Sequence, residues 1–239
     1  MQSPDMFRRY VPGALTFFVG LVVAFFVSLV VFSLYLRVVS YALLRLGLSH
    51  HAMLLALAGI LVGGAFNIPL RRTKRTQLQL AEWGAFYRRW GEGPFPIGVL
   101  QGHTIAINIG GAIMPLLIAF VVAGRLIGEP FVLLMLSLAS LVNIFVCNRL
   151  GRIIADVGIM LPGWVAPLIG ILGAWLLLPA GSPHYASFAF VTAVVGPFVG
   201  ADLMNLQEAR RLGTGTLSIG GAGPIDGIVL SGILAALLA

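Results

Sequence analysis

The chain has 239 residues, of which 59% are apolar and only 10% are charged, and its formal net charge is +7. Because a soluble domain has about a quarter of its residues charged, this composition excludes an ordinary soluble globule and predicts an integral membrane protein. The single cysteine, Cys147, excludes an internal disulfide and a metal site built from several cysteines.

Apolar runs separated by short polar loops predict an all-α fold, a polytopic transmembrane helix bundle that forms a single domain over residues 1–239. A helix needs about 20 apolar residues to cross hydrocarbon, where the backbone must satisfy its own hydrogen bonds. The first run follows Arg8 and Arg9 and is too long for a cleaved signal peptide, so it is interpreted as a signal anchor. About seven spans are predicted, over residues 12–35, 52–69, 97–124, 131–147, 160–180, 186–206 and 224–239.

Two segments between the predicted spans have the pattern of amphipathic surface helices, residues 36–48 and 78–92. Each carries apolar residues at helical spacing and arginines elsewhere around the helix, which is typical of helices at the headgroup level. Packing of each helix against the end of the bundle explains the same pattern equally well.

The basic residues predict the orientation of the chain. With the N-terminus in the cytoplasm, the seven spans place 12 of the 15 lysines and arginines inside and three outside. Because cytoplasmic loops carry the excess of these residues, we predict an N-in, C-out protein that crosses the cell inner membrane several times. The same residues predict contact with anionic lipid headgroups at the cytoplasmic face and no binding of nucleic acid. They leave the oligomeric state open.

Two aspartates at the predicted spans are candidate catalytic residues, because charges in a membrane are costly and usually functional. Asp202 lies near the cytoplasmic end of the sixth span, and Asp226 lies at the cytoplasmic start of the seventh. Consecutive antiparallel helices would hold the two carboxyl groups at similar depths, to within about 10 Å. A close pair would keep one proton, which leaves one acid and one base to activate water. The structural alternative is that Asp226 caps its helix and that Asp202 contacts headgroups or a nearby arginine.

Glycines near the two aspartates predict close backbone packing. The segment 220–227 is rich in glycine and predicts a broken helix or a close backbone approach. Gly196 and Gly200 form a GxxxG surface for helix packing. At about 100° per residue, Asp202 lies roughly 200° around the helix from Gly200. The packing face and the Asp202 face therefore differ, unless the helix bends at Pro197.

Polar residues gather toward the cytoplasmic ends of the predicted spans and predict a cavity that opens to that side. Substrate-binding roles are predicted for His103, Asn108, Asn205 and Gly223. An interhelical hydrogen bond is the more common role of any single asparagine in a membrane helix. His103 has no second histidine at ligand spacing, so the sequence predicts no metal site and no cofactor.

Five stretches of the chain resemble a prokaryotic family of polytopic membrane proteins that is known only as a domain of unknown function. The resemblance covers nearly the whole chain and implies the membrane fold, but it implies no activity. Where that family favours proline and glycine just before Val157, this chain has Ala155 and Asp156, so Asp156 is not a candidate site residue. The stretches are Asn67-Ile68-Pro69, residues 106–111, Val157-Gly158-Ile159, Gly200-Ala201-Asp202-Leu203, and residues 220–228.

A second, local resemblance concerns Asp226. The segment Gly223-Pro224-Ile225-Asp226 is similar to the Gly-x-Gly-Asp segment of presenilins and signal peptide peptidases. Those intramembrane aspartyl proteases carry their two catalytic aspartates on consecutive helices, so the resemblance implies that role for Asp202 and Asp226. The chain departs from their pattern in three places. Ile225 replaces the second glycine, Ala201 replaces the tyrosine before the first aspartate, and no Pro-Ala-Leu motif follows Asp226.

Three functions are consistent with these features. A transporter or channel for a small solute or ion would use one aspartate to carry a proton or bind a cation. An intramembrane aspartyl protease-like hydrolase would use both aspartates on water and a scissile carbonyl. A non-catalytic membrane scaffold would need neither. From the sequence, transport ranks first because the protease motifs are incomplete.

Overall fold

A computed structural model describes residues 14–73, 103–154, 158–212 and 216–239. The predicted surface helix 78–92 and the first residues of the predicted span 97–124 lie outside the described residues. The described chain is mostly helical, as predicted. It also contains two small β-sheets, so the prediction of an all-α fold is wrong in that respect.

The helices are mainly apolar, and each predicted span overlaps one of them. Three helical segments are long and apolar enough to cross a membrane, namely Thr16–Arg45, Pro130–Leu150 and Tyr185–Ala209. The other apolar helices of the described chain have only 10–17 residues, so the number of spans and their orientation stay predictions. In chain order the helices are α1 (Ala14–Arg45), α2 (His50–Gly63), α3 (Met114–Gly124), α4 (Pro130–Leu150), α5 (Val165–Leu177), α6 (Tyr185–Val195), α7 (Met204–Leu212) and α8 (Gly227–Leu238).

Two helices are extended by π-helical turns, which are wider than an α-helix. Ile109–Ile113 leads into α3, and Gly196–Leu203 joins α6 to α7. Pro197 supplies one reason for the second break, because proline has no N–H to donate to the preceding turn. We call Gly196–Leu203 the π segment; Asp202 lies in it.

The strands are β1 (Asn67–Thr73), β2 (His103–Asn108), β3 (Arg152–Ile154), β4 (Gly158–Met160) and β5 (Thr216–Ile219). The larger sheet has the order β1-β2-β5, in which β1 is antiparallel to β2 and β5 is parallel to it. Asn67 is paired with Asn108, and Ala106 is paired with Ser218. Strands β3 and β4 form a separate antiparallel pair.

Three predicted helix boundaries are wrong. The predicted span 52–69 ends as a helix at Gly63, and its last residues belong to β1. Pro69 favours extended backbone at the preceding residue, Ile68, as a strand requires. The predicted span 97–124 contains β2, where Thr104, Ile105 and Ile107 are β-branched and favour extended backbone. Residues 36–45 do not form a separate surface helix, because they are the last part of α1, which ends at Arg45.

Contacts within the chain divide it into two units, Met1–Val39 and Ser40–Ala239. The described part of the first unit is one helix whose large apolar side chains are mostly exposed, among them Phe17, Phe25 and Phe26. Such a surface suits a lipid environment. The prediction of a single transmembrane domain stays a prediction.

Helix α6 lies at the centre of the second unit and packs against α3, α4, α5 and α8. Phe188 and Phe190 on α6 are buried. A fully buried asparagine, Asn143 of α4, donates hydrogen bonds to Ala166 O at 3.1 Å and to Thr192 O at 2.8 Å. It thereby joins α4 to α5 and α6, since a buried amide must find partners.

Candidate functional site

A cavity of about 590 Å³ lies in the second unit, and both Asp202 and Asp226 line it. The π segment and the start of α8 contribute one aspartate each. The two aspartates that the sequence grouped as one candidate site therefore line one cavity. Its wall consists of residues 158–161, Gly163, Pro197, 201–202, Leu206, 217–222, 226–228 and Ser231.

Asp226 is the N-cap of α8, with extended backbone at φ −65° and ψ 150°. One carboxylate oxygen accepts a hydrogen bond from Ile228 N at 3.0 Å, and the other accepts one from Ala222 N at 3.3 Å. A capping side chain satisfies donors that the first helical turn leaves free. The structural alternative for Asp226 is therefore present in the geometry, and the same carboxylate also lines the cavity.

Asp202 is held in place by the hydrogen bonds of the π segment. Two asparagines satisfy carbonyl groups just before it: Asn205 donates to Gly200 O at 3.1 Å and to Ala201 O at 2.9 Å. Asn148 of α4 donates to Gly200 O at 3.2 Å. Isolated π-helical turns occur frequently at functional sites, because they redirect the side chains that they carry. Here the widened turn accompanies an aspartate that lines the cavity.

The GxxxG surface packs on α4 and not on α8. A Cβ on Gly200 would collide with the carbonyl oxygen of Ile144, and one on Gly196 would lie 2.5 Å from Asn143 Cγ. Since Asp202 lies on a different side of the helix from these glycines, their contact with α4 leaves Asp202 free to face the cavity. This resolves the conflict between the two faces that the sequence raised.

The two carboxyl groups line the same cavity and would carry like charges if both were ionised. Like charges at short range repel, which favours a pair that keeps one proton. Two backbone donors stabilise the carboxylate form of Asp226. The backbone donors make Asp226 the better candidate for the carboxylate of such a pair.

The loop between β5 and α8, residues 220–226, fixes the position of Asp226. We call it the glycine loop. Gly220 has φ +69°, and a Cβ there would lie 2.6 Å from Ala112 N. A Cβ on Gly111 would collide with the carbonyl oxygen of Gly220. Glycine is required at both positions, because only backbone without a side chain can come this close. The loop before Asp226 is thus packed directly on the π-helical turn before α3.

Three predicted substrate-binding residues do not line the cavity in the described structure. Asn108 is fully buried; it donates to Gly64 O at 2.8 Å and to Asn67 Oδ1 at 3.1 Å, and accepts from Gly111 N at 2.7 Å. Asn205 bonds the π segment, as described above. Gly223, at φ +61°, lies against Gly64. In the structure these three residues contact and support the backbone. That they bind substrate stays a prediction.

The backbone of His103 begins β2, but its side chain lies outside what the structure describes. Within the described ranges, no group of three or more histidine, cysteine, aspartate or glutamate side chains is placed to hold a metal ion.

Sequence reasoning missed two serines of the cavity wall. Ser218 of β5 donates to Asn67 Oδ1 at 2.6 Å, which ties β5 to β1 across the sheet. Ser231 of α8 is buried. One signal was available for Ser231, because it follows Gly227 by one helical turn and therefore lies on the same side of α8. No comparable signal marked Ser218, since β5 exists only through its pairing with β2.

Comparison with known proteins gives a family and no activity. The sequence model of a family described as "Protein of unknown function (DUF1614)" matches residues 61–238. That range includes both aspartates and every described residue of the cavity wall. Searches of the curated proteins and of the solved structures found no match.

Proposed function

Since the chain belongs to the DUF1614 family, whose function is not known, we propose an activity from the cavity. The protein is an intramembrane aspartyl hydrolase that cleaves a peptide bond with Asp202 and Asp226. The observation that carries this proposal is the shared cavity, which both aspartates line. The similarity of the segment around Asp226 to that of intramembrane aspartyl proteases favours a peptide bond as the target.

We assign different roles to the two acids, because only Asp226 is seen to accept backbone N–H groups in the described structure. Asp226, as the carboxylate, takes a proton from a water molecule whose oxygen attacks the carbonyl carbon of the peptide. Asp202 donates its proton to the carbonyl oxygen, which gives a tetrahedral gem-diol. The C–N bond then breaks as the leaving nitrogen takes the proton held by Asp226, and a hydroxyl of the gem-diol returns its proton to Asp202. The products are a carboxylic acid and an amine, and both aspartates regain their starting states.

We rank hydrolysis above transport, although the sequence alone ranked transport first. Hydrolysis needs water and two carboxyl groups in one cavity, one of them protonated and the other ionised. The described cavity holds two carboxyl groups, of which Asp226 accepts two backbone hydrogen bonds. Transport needs in addition a binding site that opens alternately to the two sides of the membrane. Proton-coupled transport is the second candidate, because the π segment and the glycine loop are the kind of helix breaks that line transport sites.

The decisive experiment compares the wild type with Asp202→Asn and Asp226→Asn in proteoliposomes. The substrate probes are apolar 20-residue model peptides, and products are identified by mass spectrometry. A hydroxyethylene peptide isostere with a photoreactive group serves as a second probe, because it mimics the tetrahedral intermediate. Each substitution should lower hydrolysis by about 100-fold or more, the range for loss of general acid–base catalysis, and should abolish labelling.

The outcomes separate the candidate functions. Hydrolysis or labelling that either variant retains at the wild-type level would rule out the acid pair as catalyst. A pH-dependent proton flux that survives loss of one aspartate would instead favour transport. If both variants fold and the protein shows neither hydrolysis, labelling nor flux, the cavity is not catalytic and a membrane scaffold is the remaining function.

A further inference from the structure

Three stretches that lie far apart in the sequence meet next to the cavity. Asn67, which begins β1, is paired with Asn108 at the end of β2, and the turn at Gly111 packs on Gly220. The fold thereby joins them into one contacting unit, and the last of them carries Asp226. These stretches are Asn67-Ile68-Pro69, residues 106–111 and residues 220–228.

The side chain of Asn108 is at the centre of this unit. Its Nδ2 donates to Gly64 O at 2.8 Å and to Asn67 Oδ1 at 3.1 Å, which uses both N–H groups of the amide. Its Oδ1 accepts from Gly111 N at 2.7 Å. Asn108 is fully buried, so solvent cannot replace these partners. Because unpaired buried polar groups are costly, the amide and its three partners are fixed together.

Two of these partners are also the surfaces on which the glycine loop packs. Gly223, at φ +61°, lies so close to Gly64 that a Cβ on Gly223 would be 3.0 Å from Gly64 Cα. At the start of the loop, a Cβ on Gly111 would collide with the carbonyl oxygen of Gly220. Asn108 bonds the backbone of both Gly64 and Gly111. One side chain therefore supports the loop at two points.

Asn67 extends the network to the cavity wall. Its Oδ1 accepts from Ser218 Oγ at 2.6 Å as well as from Asn108, and Ser218 lines the cavity. The glycine loop then leads from β5 to Asp226, whose carboxylate accepts from Ala222 N of the same loop. The buried amide is thus connected both to the wall and to the acid.

Resting on the proposed function, we infer that Asn108 is a positioning residue, which fixes Asp226 in the cavity by supporting the glycine loop at two points. Asn108 itself lies outside the wall of the described cavity, so it acts through the loop. A shift of about 1 Å in a catalytic group can lower a rate about 100-fold. Loss of this support should therefore lower kcat and leave KM unchanged, because the apolar wall stays in place.

Asn108→Ser tests this assignment, because serine keeps one of the three hydrogen bonds. A serine hydroxyl caps a helical turn about as well as asparagine does, so Gly111 N keeps an acceptor. The shorter side chain cannot donate to Gly64 O or Asn67 Oδ1. In the peptide assay we expect kcat to fall about 10-fold or more, with KM within about twofold of the wild type.

Hydrogen–deuterium exchange of residues 220–228, followed by mass spectrometry, is a readout that needs no activity. Exchange reports local opening of the backbone, and several amides of this segment are bonded within it, among them Ala222 N and Ile228 N to Asp226. We expect exchange of this segment to be about tenfold faster in Asn108→Ser than in the wild type.

Val122→Ala is the control for a general loss of stability. Val122 is also buried, but it lies on α3 about 12 Å along the helix axis from Met114 and away from the cavity wall. Both variants should lower the unfolding temperature, whereas kcat and exchange of residues 220–228 should change only in Asn108→Ser.

A second pair of variants uses the exposed Asn67, in case Asn108→Ser does not fold. Asn67→Ala removes the acceptor that Asn108 and Ser218 share, so it should speed exchange of residues 220–228. Asn67→Asp keeps a carboxylate oxygen at that position and should restore the wild-type exchange.

Wild-type exchange in Asn108→Ser, or the same increase in Val122→Ala, would overturn the inference. An equal loss of kcat in Asn108→Ser and Val122→Ala would also reject the positioning role while the proposed reaction stood. A wild type without hydrolysis would end the proposed reaction, and faster exchange in Asn108→Ser alone would still show that Asn108 supports the loop that carries Asp226.

Discussion

At the scale of single residues, Asp226 combines two roles that substitutions separate. Its carboxylate caps α8 and also lines the cavity. Asparagine caps a helix about as well as aspartate does, whereas alanine does not. Asparagine lacks the negative charge that a base needs, so the two substitutions divide structure from chemistry.

We expect Asp226→Ala to lower the free energy of unfolding by about 1 kcal/mol through loss of the cap, and Asp226→Asn to leave it nearly unchanged. Both should lose hydrolysis. Unfolding in detergent micelles, followed by circular dichroism, measures the first effect, and the peptide assay measures the second. A destabilised Asp226→Asn protein would mean that the charge, and not the cap, supports the fold.

Two asparagines show that the role of a single polar residue does not follow from the sequence around it. Asn108 and Asn205 are polar residues in apolar surroundings, and for that reason the sequence predicted that they line a cavity. In the structure their amides bond backbone carbonyls of Gly64, Gly200 and Ala201. A turn that leaves the α-helical pattern loses internal hydrogen bonds, and a nearby amide replaces them. The sequence does not state which turns will need that help.

At the scale of elements, the π segment is the part that the site depends on most. Its position on α4 relies on the absence of a side chain at Gly200, where a Cβ would collide with the carbonyl oxygen of Ile144. Backbone cannot yield as a flexible side chain can. A residue with a Cβ must therefore push the two helices apart, and Asp202, two residues further along the chain, would move with them.

We expect Gly200→Ala to lower the free energy of unfolding by about 1–3 kcal/mol, the usual cost of overpacking, and to reduce hydrolysis. Gly124→Ala, at the end of α3, is the matched control, because a Cβ there has nothing within 4 Å. Thermal unfolding and the peptide assay are measured on both proteins. Equal stability of the two variants would show that the contact with α4 is looser than described.

At the scale of the whole molecule, the charge asymmetry of the loops predicts the orientation, which stays a prediction, as does location in the inner membrane. The only cysteine, Cys147, is buried, and Cys147→Ser gives a background without thiols. Pro183, between α5 and α6, and Glu208 of α7 are exposed and belong to segments predicted on opposite sides.

We expect a membrane-impermeant maleimide to label Pro183→Cys in intact spheroplasts and Glu208→Cys only in inverted vesicles. The reason is that the excess of lysine and arginine stays in the cytoplasm. Labelling of both residues from the same side would show that the helix connecting them does not cross the membrane. Labelling with the sides exchanged would show that the chain is oriented N-out.

The sequence by itself determined that the chain is a mostly helical, apolar protein, because apolar runs and helical hydrogen bonds are local properties of consecutive residues. It also brought Asp202 and Asp226 into one hypothesis through their order on consecutive helices. Only the tertiary structure decided that residues 67–73 and 103–108 are strands, because Ala106 is paired with Ser218 of a distant segment. It also decided that β5 and the two aspartates line one cavity. Strand pairing depends on hydrogen bonds between segments far apart in the chain, which the β-branched residues of β2 favour locally but do not decide.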